Sequence, residues 1–534
     1  MAADNVEIKD SGMQGAGRGL FARRAFAPGE VILELDRPYL FELSPSRLSN
    51  TCSWYHQRAG TDPSECRNVT HNHVSRRLIK ISMCNKCRKV GYCSKTCQAL
   101  SWENDHKFEC KLFKRESLWG EVSAIRAVMK TLRRLVLEYP GEAANVRRLL
   151  ELRPVVDRNV MEEYIRIDPE RFEHCIDVAG RALGYAGKPT DIDGLDARTL
   201  AEKLAVTFFG AGASFNSAAD GGVVGFGVDP LFSLINHSCD PNAIMYSQHA
   251  DVELRALGAI NAGDEICLEY VDGLRSFAIR QFKMQKLFSC QCAKCKTGED
   301  LEVAPLVEQA KKLEGEYRRL ADGMVCTHES NLSPYLLPGY DKEAQKRAVA
   351  WLLEAYRILD AYAGVDEVKR FIRLSIDSEL FSWTRQPVPR LCAKLQKLYM
   401  ENGQISKALR IAIKLHIDVY PTIHDKFHPI TLENAWNILL LINELKKIDY
   451  GGLHDVLASR QMDLTIIRFG FLFYLHDYMT GASYTVHHLY RTIMETYKEM
   501  MDATDMPKKK IRRLVRSNWD AIVISAREMS TSNL

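Results

Sequence analysis

"NHSCDPN", residues 236–242, places an asparagine, a histidine, a cysteine and an aspartate within seven positions. His237 is open to three readings (base, metal ligand or core packing), and Cys239 to two, nucleophile or metal ligand. Neighbouring stretches narrow the choice. Downstream lie "VELRALGAINAGDEICLEYVD", residues 252–272, which reads as strand, turn and strand, and then "FSCQCAKC", residues 288–295. Far upstream lies "GAGRGLFARRAFAPGEVILE", residues 15–34, in which Gly15, Gly17 and Gly19 allow a sharp turn or a close approach to a ligand before an alternating strand. No Gly-Lys-Ser/Thr follows those glycines, and strand signals stand where a Rossmann motif needs a helix, so neither nucleotide fingerprint applies.

The cysteines carry the next step. The chain has 15, and their bunching points to metal rather than to disulfides, since an intracellular chain keeps its thiols reduced. In "CNKCRKVGYCSKTCQALSWENDHKFEC", residues 84–110, Cys84 and Cys87 form a two-residue knuckle. Cys93 and Cys97 are one helical turn apart, as are His106 and Cys110. Six ligands exceed one tetrahedral zinc and fall short of two. Cys52 supplies a seventh, but Tyr55 stands where its knuckle partner would be, so His56 or Cys66 is left to complete the set.

This stretch resembles a MYND zinc finger. The ordered series of glycine-rich opening, finger, Asn-His-Ser-Cys-Asp-Pro-Asn, Gly-Asp-Glu leading to Glu-Tyr, and a C-x-C-x2-C tail is similar to the SET and MYND domain lysine methyltransferases, over residues 12–297. The resemblance implies S-adenosylmethionine as methyl donor, with Gly17, Arg18, Gly19, Asn236, His237 and Phe288 binding it. Tyr270 is then the catalytic tyrosine at the methyl-transfer channel, with Phe215 lining the lysine path. It implies three zinc sites: Cys84, Cys87, His106 and Cys110; Cys52, Cys93, Cys97 and a fourth ligand; and Cys239 with Cys290, Cys292 and Cys295. Ala213 takes a position where the family usually has asparagine, so one cofactor hydrogen bond is expected to be missing. That departure and Tyr55 keep a second reading open, a weakened or inactive adaptor that binds partner proteins through its finger and C-terminal helices.

The expected fold is α+β. A β-rich SET core (1–50 and 204–273) is interrupted by the finger (51–110) and a helical insert (111–203), then followed by a zinc-binding tail (274–298) and an all-α, tetratricopeptide-like domain (299–534). The insert shows helical spacing in "VRRLLELRPVV" and "VMEEYIRI", with a Gly/Asp-rich break at 187–195. The last domain shows it in "AQKRAVAWLLEAYRILDAY" and "RLCAKLQKLYMENGQISKALRIAIKLHIDVY". At 46% apolar and 26% charged residues, and with no long apolar run, the chain reads as an intracellular globular protein. The expected compartments are cytoplasm and nucleus. The expected partners are a protein carrying a target lysine and a proline-rich peptide at the finger, with the chain monomeric and away from membranes. Net charge is only +4, but residues 76–115 hold eleven Lys or Arg against three acids, which suggests weak DNA contact there. "PKKKIRR", 507–513, reads either as a nuclear localisation signal or as a solvated helix start. Asp264 and Glu265 read as a turn before a strand.

Overall fold

The computed structural model describes residues 2–534 except 14–15, 36, 57–79, 116–122, 153–168, 190, 192, 217–222, 249–250, 274, 285–287, 298, 425–427, 448–463 and 482–489. Among the described residues, twelve short strands lie in the order β1 (Val6–Asp10), β2 (Arg18–Ala22), β3 (Val31–Leu35), β4 (Leu40–Leu43), β5 (Ser82–Met83), β6 (Gly91–Tyr92), β7 (Ala213–Asn216), β8 (Val223–Val228), β9 (Asn236–His237), β10 (Ala243–Gln248), β11 (Asp251–Ala256) and β12 (Glu265–Leu268). They form small sheets ordered β1-β2-β12-β9, β10-β11-β3 and β4-β8-β7, plus the β5-β6 hairpin.

Among the described strand pairs, pairing is antiparallel except between β12 and β9, where Cys267 faces Asn236 and Leu268 faces His237; an isolated parallel bridge also joins Cys52 to Gly91. The β12–β9 contact joins the two motifs, "NHSCDPN" and "EICLEYVD", edge to edge. β2 pairs with β12 on its other side through Phe21↔Glu265 and Leu20↔Ile266, so the glycine-rich stretch abuts both. In "VILEL" the adjacent Ile32 and Leu33 are both buried, so both faces of β3 are covered there, and they share the central core with Leu20, Ile235, Leu254 and Ile266.

A second core joins the finger and the helical insert to β4, β7 and β8. The insert contains helices Ser123–Val136, Glu142–Leu150, Pro169–Ala186 and Ala197–Ala211. Asp196 caps the last of these by accepting from the backbone N–H groups of Arg198 and Thr199 at 2.8 and 2.9 Å. The Gly/Asp break falls between the last two helices; "VMEEYIRI" lies outside the described residues. From residue 299 onward the described chain is helical, with Trp351, Leu391, Leu409, Ile438 and Phe471 at the centre of the third core. Val388–Glu401 and Ile405–Lys414 are the helix pair read from the sequence. "PKKKIRR" opens the helix Lys508–Glu528, with Lys508, Lys509 and Lys510 exposed and Arg512 paired to Asp477 at 3.3 Å. This is the expected α+β arrangement. Among the described residues no helix is long and apolar enough to cross a membrane.

Candidate active site

Among the described residues, two groups of four ligand atoms and one group of three lie with the atoms of each group within 4.8 Å of one another. Tetrahedral zinc, with Zn–S near 2.3 Å and Zn–N near 2.0–2.1 Å, sets sulfur–sulfur edges of about 3.8 Å and sulfur–nitrogen edges of about 3.6 Å. Cys84 and Cys110 sulfurs are 3.8 Å apart, and Cys87 Sγ lies 3.6 Å from His106 Nε2. In the tail, Cys239 Sγ lies 4.0 Å from Cys290 and 3.5 Å from Cys295, with Cys292 in the same group. These residues fit the ion. Burial pushes the Cys84 thiol up, but the backbone N–H of Cys87, the His106 ring and the Lys86 N–H outweigh it and bring the group down to about 6, favouring the thiolate a metal needs.

The third group is Cys52, Cys93 and Cys97, with the latter two sulfurs 3.5 Å apart. His56 is not part of it; its ring stacks on Phe41 at 3.9 Å. Cys66, the other candidate fourth ligand, lies outside the described residues. Tyr55 has a different task from a ligand: its backbone N–H donates to Cys52 Sγ at 3.4 Å and its hydroxyl reaches Asp251 Oδ2 in β11 at 3.0 Å, pinning the finger to the core.

Buried charges bind the finger to the insert as well. Lys130 Nζ lies 2.6 Å from Glu42 in β4 and 3.2 Å from Glu109, whose other oxygen is 3.8 Å from His106 Nδ1. Arg134 grips Asp105 through two bonds of 2.8 and 2.7 Å. Desolvation raises the Asp105 and Glu109 carboxyls, but Lys130, ahead of the other cations, more than reverses this and holds both below their ordinary values. A histidine ligand backed by a carboxylate is the usual support for a structural zinc.

At the β12–β9 contact three rings gather. His237 lies 5.3 Å from Tyr270 and 5.9 Å from Phe288, and Tyr270 meets Phe288 edge-on at 6.3 Å. The Tyr270 hydroxyl donates to the Ile235 carbonyl oxygen, while 49% of the residue stays exposed. Burial, and then the Cys267 thiol, raise this phenol above its ordinary pKa, so it is neutral at physiological pH. His237 is 3% exposed and both ring nitrogens are engaged. Its Nδ1 accepts the Tyr270 backbone N–H at 2.9 Å, which leaves the ring proton on Nε2, 3.2 Å from Cys239 Sγ. Burial depresses its pKa to about 4 and keeps the ring neutral. The "NHSC" run thus ties the tail sulfur cluster to the backbone of Tyr270.

Gly17 has φ +72°, a conformation that glycine adopts without strain, and its carbonyl accepts from Ser11 N–H at 2.7 Å. Asn236 Nδ2 donates to the Arg18 carbonyl at 3.1 Å and to Glu265 at 2.8 Å. Glu265, read from the sequence as part of a turn, therefore belongs to the site. Only Asp264 closes the turn, accepting from Asn261 N–H at 2.8 Å. The Arg18 side chain reaches the insert instead, with Nη2 3.2 Å from the Glu151 carboxylate. Phe215 is not gathered with the three rings; it is buried in the finger–insert core, edge-on to Phe41 at 5.0 Å. Ala213 opens β7 opposite Gly227 and offers no side-chain donor or acceptor.

Comparison with known proteins finds sequence relatives along the chain. A family profile described as the SET domain matches residues 17–271. A histone-lysine N-methyltransferase of Arabidopsis thaliana, ASHR1, is 25% identical over 431 residues, covering 78% of this chain and 82% of its own length. Mouse histone-lysine N-methyltransferase SMYD3 is 28% identical over 222 residues, and zebrafish N-lysine methyltransferase SMYD2-B 26% over 303; these matches cover 49% and 62% of the relatives. The chain thus spans most of the plant protein but only about half to three-fifths of these two animal ones. A solved SET domain, LSMT bound to lysine and AdoHcy, aligns at 11% identity with a TM-score of 0.24, too slight a likeness to weigh in the argument.

Proposed function

We propose that this chain, a SET-domain protein of the SET and MYND type, is an S-adenosylmethionine-dependent protein-lysine N-methyltransferase. The observation that carries the reading is the joining of Tyr270, His237 and Phe288 beside the glycine turn and Asn236, through the β9–β12 contact. When bound, the cofactor supplies an electrophilic methyl group on a sulfonium. The chain supplies the rest. Gly17 and Gly19 let the backbone come close to the cofactor, Asn236 offers it a hydrogen bond, and Phe288 covers it with an apolar ring. With its proton committed to Ile235, the Tyr270 oxygen keeps lone pairs for the incoming amine and the electron-poor methyl group. Transfer needs a neutral amine held in line, so orientation and exclusion of water are the work of this pocket. His237 acts through Tyr270 by holding its backbone.

Three structural zinc ions complete the assignment. Cys84, Cys87, His106 and Cys110 hold one; Cys239, Cys290, Cys292 and Cys295 hold another; Cys52, Cys93, Cys97 and, in our reading, Cys66 hold the third. Four protein ligands leave no position for a reactive water, so zinc serves architecture here. The acceptor is a protein lysine, with histones the first class to try. Proline-rich peptides at the finger, weak DNA contact by its exposed Lys86, Arg88, Lys95, Lys107 and Lys111, a monomeric state, and residence in cytoplasm and nucleus complete the proposal.

Calorimetric titration of S-adenosylmethionine into the zinc-loaded full chain tests it. Micromolar binding is expected, with Tyr270→Phe lowering turnover by about 100-fold at nearly unchanged cofactor affinity. No binding by folded, zinc-replete protein would overturn the enzyme in favour of the adaptor.

A further inference from the structure

We infer that Glu265 is a positioning residue that fixes the Asn236 amide so that only its oxygen is offered to a ligand, making this corner selective for a primary ammonium. The inference rests on the cofactor reading above. Asn236 and Glu265 are 29 positions apart and meet across β9 and β12. The Asn236 amide nitrogen lies 2.8 Å from Glu265 Oε1 and 3.1 Å from the Arg18 carbonyl oxygen. Both partners are acceptors, so the end of the amide that faces them has to be the NH2, and both its hydrogens are used. The amide oxygen is then the only end left, and no described residue donates to it.

Glu265 is itself held. Its Oε2 accepts from the Ser11 hydroxyl at 2.8 Å, and that hydroxyl oxygen in turn accepts from Met13 N–H at 3.1 Å, so the hydroxyl proton is committed to the carboxylate. A Cβ at Gly19 would come 2.3 Å from Glu265 Oε1 and 2.9 Å from Asn236 Nδ2; only glycine leaves room for the pair. The result is a fixed amide oxygen with a carboxylate behind it, beside a glycine turn. This is an acceptor for a charged N–H donor, and in S-adenosylmethionine the only such group is the α-ammonium. The sequence hides the role, because "GDE" reads as a turn and nothing local links Glu265 to an asparagine so far away.

The test compares S-adenosylhomocysteine with its desamino analogue, in which hydrogen replaces the ammonium, as calorimetric ligands of the zinc-loaded full chain. The native protein is expected to prefer the ammonium by roughly 10-fold or more, the scale of one charge-assisted hydrogen bond. Glu265→Met releases the amide to rotate and is expected to bring the ratio to within about threefold of unity, while Glu265→Gln, which can still accept from Asn236, keeps most of it. If Glu265→Met does not retain zinc, Ser11→Ala decides alone: freeing the carboxylate is expected to lower the ratio by about threefold. Equal weakening of both ligands, with the ratio unchanged, or no native preference at all, would overturn the inference. Failure of the native chain to bind either ligand would instead overturn the cofactor reading.

Discussion

His237 makes two contacts that two substitutions separate. Nδ1 accepts the backbone N–H of Tyr270 at 2.9 Å, and Nε2 faces Cys239 Sγ at 3.2 Å. Asparagine puts an amide oxygen near the place of Nδ1 and nothing at Nε2; glutamine puts an amide nitrogen near Nε2 and nothing at Nδ1. In His237→Gln the Tyr270 N–H is left without its acceptor, at a cost of about 1–3 kcal/mol. If the Tyr270 backbone keeps its native position only with that bond, the loss falls on methyl transfer, roughly 5- to 150-fold below His237→Asn. Zinc should behave in the opposite way. His237→Asn, which removes the contact to Cys239, is expected to surrender tail zinc to a chelator faster than His237→Gln. The assay follows labelled methyl transfer to a protein acceptor, core histones first, beside zinc release monitored with a metallochromic dye. Turnover by His237→Gln equal to or above that of His237→Asn would refute the claim that this ring positions Tyr270.

Lys130 sits 8% exposed between Glu42 and Glu109, so Lys130→Met leaves Glu109 without its nearest cation and Glu42 with only Arg126, at 3.4 Å, a loss of about 3–5 kcal/mol. Hydrogen exchange in the helix Ser123–Val136 should then accelerate by at least about 100-fold; a change under threefold would show that the network contributes nothing there. His416 is buried in the C-terminal helices, and desolvation lowers its pKa to about 4 from an ordinary value near 6.5. The unfolded chain therefore takes up the proton first. The contribution of this site is intact above about pH 6.5 and shrinks as pH falls toward 4, by about 3 kcal/mol in all, and His416→Phe should flatten that part of the urea-midpoint profile between pH 7 and 4.5. Zinc content distinguishes the candidate fourth ligands of the third site: Cys66→Ser should lose one ion per chain and His56→Ala none, and the opposite result would reverse the assignment.

How far the sequence reaches can be judged residue by residue. Metal-ligand spacing within one turn or knuckle is a local property, so Cys84 with Cys87, Cys93 with Cys97, and His106 with Cys110 are legible as pairs without coordinates. Helical periodicity is local too, and it locates the helices Lys342–Asp360 and Val388–Glu401. The order of motifs along the chain carries the SET and MYND resemblance. The sequence alone therefore determined the resemblance to this class of protein, the candidate metal-ligand pairs and the candidate tyrosine.

What it could not carry are contacts between residues far apart, because their side chains meet only after the sheets have paired. Strand pairing brings Glu265, the first residue of β12, to Asn236, while Asp264, one residue before the strand, stays in the turn. Tyr55, which reads as a failed ligand, becomes a tie to Asp251 across 196 residues. Arg18 is named from the sequence for the cofactor, and only the structure shows that its long side chain reaches the carboxylate of Glu151. Phe215 is named from the sequence as a channel wall, and only the structure shows that β7 packs it edge-on to Phe41. Aromatic and charged side chains take the partner that packing brings near, and only the tertiary structure decides which partner that is.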